Sequence, residues 1–165
     1  MAYIVGRSTA VYVLGEGSTL DVPLPPHQAD DMLYLSVQQD DGTGAISVSG
    51  WTEITTQAAH GGQRTALFRK KATSSAETTP TVSFALDDDA AASVICVRGV
   101  HGTTPEHKTT RTNYTADASP AAGSVTTSQS NCLVLWFFGY DNGQWRLSPI
   151  DLDAIQFGAA VSHTA

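Results

Sequence analysis

Short runs of alternating apolar and polar residues, each closed by Gly, Asp, Asn, Ser or Pro, recur along almost the whole chain. Period two places successive side chains on opposite faces of a strand, and punctuation this frequent leaves little room for helices of ordinary length. The residues that favour helices are also scarce. Only Glu16, Glu53, Glu77 and Glu106 are glutamates and only Lys70, Lys71 and Lys108 are lysines, while the other twelve acids are Asp, which prefers turns. The pattern predicts an all-β fold, an antiparallel β-sandwich of jelly-roll type with almost no helix.

Strands are expected near residues 9–14, 19–22, 32–39, 46–48, 51–56, 64–71, 81–86 and 93–98, with further ones near 109–115, 132–140, 145–147 and 154–157. In the third, Leu33, Leu35 and Val37 face one way and Tyr34, Ser36 and Gln38 the other. In the seventh, Val82, Phe84 and Leu86 form the inward row. Those six apolar residues are the expected core. Asp40-Asp41-Gly42-Thr43-Gly44 and Tyr140-Asp141-Asn142-Gly143 supply residues tolerant of positive φ, so each is expected to close a hairpin or a bulged turn. Pro23-Leu24-Pro25-Pro26 reads as an edge or a connector, because proline lacks the donor a central strand needs.

The 165 residues suit one domain, read as a single sandwich over 1–165 with a short N-terminal arm over about 1–8. A net charge of −7 disfavours nucleic acid and anionic membrane as general partners, and no apolar run reaches the length of a membrane-spanning helix. The first residues lack the charged region and apolar stretch of a secretory leader, so synthesis in a cytoplasm is expected. Cys96 and Cys132 both lie in apolar runs and read as free, buried thiols.

No motif assembles an active site. The chain lacks GxSxG, Walker A, GxGxxG, HExxH and CxxC patterns. His27, His60, His101, His107 and His163 all fall in expected loops or termini without the spacing of a zinc site. Asp87-Asp88-Asp89 lacks the spaced pattern of a calcium loop and reads as a charged hairpin tip. No catalytic residue, metal or cofactor is expected. Alternation sends Arg69 and Lys71 to one strand face and Arg64 and Lys70 to the other, as in a solvated strand or one that makes a salt-bridging contact with an acidic partner, rather than a phosphate-binding patch.

The aromatic residues say more. Between Cys132 and Phe138, Leu133, Leu135 and Phe137 form one row, but Val134, Trp136 and Phe138 make the opposite row apolar too. Both faces therefore need cover, from the chain itself or from another subunit. Trp51, just after Ser49-Gly50, reads as a plug for one end of the sandwich. The candidate interface residues are Tyr3, Ile4 and Val5 of the arm, with Trp136, Tyr140 and Trp145.

Five segments carry a resemblance: Ser18-Thr19-Leu20-Asp21-Val22-Pro23, Asp31-Met32-Leu33-Tyr34-Leu35-Ser36-Val37, Ser49-Gly50-Trp51-Thr52-Glu53-Ile54, Leu67-Phe68-Arg69-Lys70-Lys71-Ala72 and Ala92-Ser93-Val94-Ile95-Cys96-Val97-Arg98-Gly99-Val100. Together with a fainter similarity through 130–140, they resemble a β-sandwich domain of tailed-bacteriophage virion proteins, the type found in capsid decoration proteins, head fibres and tail-associated proteins. Met32 and Cys132 depart from the alanine or leucine common there. The resemblance implies a virion structural protein, not an enzyme, and the leading expectation is a capsid decoration or cement protein. Its partners would be the major capsid protein or another virion protein and further copies of itself, most simply as a trimer. The alternative is a tail- or fibre-associated protein that binds a host surface glycan.

Overall fold

The computed structural model describes residues 2–13, 17–39, 44–54, 58–60, 63–84 and 89–100, together with Leu133, Leu135 and Phe137. The expected strands near 109–115, 145–147 and 154–157, and all but those three residues of the one near 132–140, lie outside the described residues. So do Asp40 to Thr43, the turn at 140–143, Leu86 to Asp88, Cys132, His101, His107 and His163.

The described chain contains strands and no helix. The ten strands are β1 (Tyr3–Arg7), β2 (Val11–Val13), β3 (Thr19–Asp21), β4 (Met32–Gln39), β5 (Ile46–Val48), β6 (Thr52–Glu53), β7 (Ala58–His60), β8 (Gln63–Lys71), β9 (Thr81–Phe84) and β10 (Ala90–Arg98). They form two antiparallel sheets. The larger runs β1-β10-β4-β8-β6, with β2 also on β10 and β7 also on β8, and the smaller runs β3-β9-β5. The fold is a β-sandwich, as the alternation predicts.

The core lies where the two sheets meet. Leu33, Leu35 and Val37 of β4, Ala66 and Phe68 of β8, and Val94 and Cys96 of β10 pack with Leu20, Ile46, Val48, Val82 and Phe84 of the smaller sheet. Burying each of the large side chains contributes about 1.5–3 kcal/mol relative to exposure. Trp51 is half-buried against this cluster, as its reading as a plug requires. Its approach is a turn in which Gly50 takes φ 75° and the Trp51 amide donates to the Val48 carbonyl at 3.2 Å.

The other face of the larger sheet is also covered. Met32, Tyr34, Ile54, Ile95 and Val97 form a second cluster, and Leu67, Val100, Leu133, Leu135 and Phe137 pack against it. The row Leu133, Leu135 and Phe137 that alternation singled out therefore seals this chain's own sheet. Because β10 is apolar on both faces, with only its final Arg98 less than buried, it reads as a near-continuous hydrophobic run.

Three expectations change. Residues 3–7 are a strand of the larger sheet and not an arm. Tyr3 pairs with Arg98, Ile4 with Val97, Gly6 with Cys96 and Arg7 with Ile95, with a register shift between Ile4 and Gly6. The shift is a bulge, where a strand gains a residue and bends, and Gly6 stands at it. Ser8 then bridges β1 and β2: its amide donates to the Val94 carbonyl at 2.8 Å, and its hydroxyl accepts from the Val94 amide at 2.9 Å.

Second, β4 and β5, which flank residues 40–44, are not paired as a hairpin, and the bulged-turn alternative falls on residues outside the described ones. β4 pairs with β10 and β8 whereas β5 pairs with β9, so this connection passes from one sheet to the other. Turn-tolerant residues do not say which strand the chain meets next. Third, β7 was not expected. It pairs with β8 from His60 opposite Gln63, across the two-residue connection Gly61-Gly62.

Candidate interaction surface

The large apolar side chains that stand exposed among the described residues are Tyr3 at 51%, Ile4 at 36% and Tyr12 at 45%. All three lie on β1 and β2, which share one edge of the larger sheet by pairing with successive parts of β10. Ile4 is opposite Val97 and Tyr12 opposite Ala91, so both side chains belong to the outer side of the sheet. Arg7, exposed and opposite Ile95, lies between them on that side. The outer apolar cluster thus continues at its margin onto an exposed strip with a basic residue in it.

Of the sequence candidates, Ile4 is on this strip; Tyr3, opposite Arg98, is exposed on the same edge but belongs to the other face, and Val5 is not exposed. Val5 is half-buried and packs against the core between the sheets, because alternation from the outward-facing Ile4 turns it inward. Its side chain is thus on the core side of β1 and away from the exposed strip. Trp136, Tyr140 and Trp145 lie outside the described residues. Tyr12 was missed, although the signal was there: Val11 and Val13 alternate with it in a short strand, which leaves its ring on the opposite face.

One polar cluster fixes the end of this edge. Asp31, 1% exposed, receives both arms of the Arg98 guanidinium, Nε on Oδ1 at 2.7 Å and Nη2 on Oδ2 at 2.8 Å. The Gln28 amide donates to Oδ2 at 2.9 Å, and the Cys96 thiol lies 3.5 Å from the same oxygen. The Arg98 guanidinium holds the Asp31 carboxyl down at about 2, helped by the Gln28 amide and the thiol against the cost of burial. The same contact raises the pKa of Arg98. Burial, followed by the nearby Asp31 charge, pushes the Cys96 thiol up to about 12, so it is a neutral donor and a poor nucleophile. Since Tyr3 pairs with Arg98, the cluster anchors the first residues of β1.

Beside it a second carboxylate ties two loops to β8. Glu77 accepts from the Thr73 amide at 2.5 Å and the Thr73 hydroxyl at 2.7 Å, and pairs with Lys70 at 2.6 Å. The Lys70 ammonium, with Thr73, holds the Glu77 carboxyl at about 2. His27 places Nδ1 2.7 Å from the Pro25 carbonyl and accepts the Glu77 amide at Nε2 at 3.4 Å. Lys71 pairs with Asp30 at 2.7 Å, and Arg64 donates to the Gly44 carbonyl. Lys70 and Lys71 therefore pair with acids of the same chain.

Among the described residues no group of three or more His, Cys, Asp or Glu side chains is placed to hold a metal ion, and no helix is long and apolar enough to cross a membrane. Asp31 and Arg98 were not singled out by sequence. An Asp-Asp pair before an apolar strand reads as a turn, and nothing local links it to an arginine 67 residues later. No family model, curated protein or solved structure matches this chain.

Proposed function

We propose that this chain is a structural protein of a tailed-bacteriophage particle, a decoration or cement protein that sits on the outside of the head and stabilises it. On this reading it is made in the bacterial host cytoplasm, resides in the virion, and binds the major capsid protein or a neighbouring virion protein without catalysing a reaction. It acts as an oligomer, with a trimer as the simplest form for a three-fold site.

The observation that carries the reading is the gathering of Tyr3, Ile4 and Tyr12 on one sheet edge of a sandwich whose other large apolar side chains, among the described residues, are at least partly buried. Burying exposed side chains of this kind at a contact contributes about 1.5–3 kcal/mol each before association costs. The Asp31–Arg98 pair holds that edge in place without a partner, so the contact would be preorganised. The resemblance to virion sandwich domains supplies the kind of partner.

Densitometry of a whole-particle gel tests the location. A copy number comparable with that of the major capsid protein supports the head, and one comparable with a tail component overturns it. In a capsid-binding assay, Tyr12→Ser combined with Ile4→Ser is expected to lower occupancy at least tenfold while leaving the melting curve nearly unchanged. Full occupancy would remove the edge from the contact. A second reading, a tail or fibre protein that stacks on a host glycan, draws on the exposed rings of Tyr3 and Tyr12. Binding to host-cell polysaccharide that disappears in Tyr3→Ala and Tyr12→Ala would favour it.

A further inference from the structure

We draw no further inference here: the strongest candidate, the β1–β2 edge of the larger sheet with its exposed Tyr3, Ile4 and Tyr12, belongs to the surface already described, and nothing in the structure shows what covers it.

Discussion

The two ends of the larger sheet solve the same problem differently. At one end, where Met32, Lys71 and Val97 align, the buried carboxylate of Asp31 is met by Arg98, the Gln28 amide and a thiol. Next to it, Glu77 is met by Lys70 and Thr73. At the other end, Gln39 stands in register with Ala90 on one side and Arg64 on the other, is fully buried, and has no hydrogen-bond partner for either amide atom among the described residues. A burial cost is offset only when the polar group is satisfied. The first end is therefore where polar side chains specify the fold, and the second is where one detracts from it.

The largest break in this contrast is expected from Asp31→Ala. It leaves Arg98 without its carboxylate and Cys96 and Gln28 without their acceptor, and breaking a pair of this kind costs about 3 kcal/mol. Urea unfolding should show a lower midpoint with an unchanged slope. A midpoint within error of the parent would mean that the cluster holds nothing together.

Acid should act on the same end. Asp31 and Glu77 both have folded pKa values lowered to about 2, from 3.8 and 4.5. A lowered carboxyl favours the folded state above its ordinary pKa, and the benefit is lost as the pH falls through the folded value. Stability is therefore expected to be level above about pH 4.5 and to fall steadily toward pH 2, by roughly 2 kcal/mol per carboxyl. Asp31→Asn should flatten its part of that fall. An equally steep acid limb in this variant would assign the loss to other groups.

The opposite end predicts a gain. Gln39→Met keeps the length of the side chain and removes the unsatisfied amide, and the expected effect is stabilisation by about 1 kcal/mol, read as a higher melting temperature. A lower melting temperature would show that the amide is bonded in solution, and the difference between the two ends would disappear. The smallest effect belongs to Lys71→Ala. Its partner Asp30 is 82% exposed on its side chain, and such surface pairs contribute no more than about 0.5 kcal/mol. A loss as large as that of Asp31→Ala would mean that exposure is a poor guide here.

The sequence by itself determined what alternation and punctuation can carry. Met32–Gln39 and Ile46–Val48 begin and end where the pattern says, and Leu33, Leu35, Val37, Val82 and Phe84 are buried in the core as the inward rows require. The row Leu133, Leu135 and Phe137 was legible as a face needing cover, but that it would seal the outer side of β4 and β10 was not. Of the candidate surface, Tyr3, Ile4 and Val5 were named for a different reason, as an arm, and Val5 turns toward the core.

What the tertiary structure decided concerns neighbours. Residues 3–7 are a strand because the edge of β10 from Ile95 to Arg98 offers its backbone groups to them, and residues 90–92 join β10 because β2 and β4 flank them, despite three alanines of low strand preference. Asp31 is buried because Arg98, 67 residues away, comes to meet it. Periodicity reports which side of a strand a residue prefers, since that depends on adjacent residues alone. Pairing, bulges and the partnering of a buried charge depend on backbone and side-chain groups brought together only when the distant parts of the chain have closed on one another.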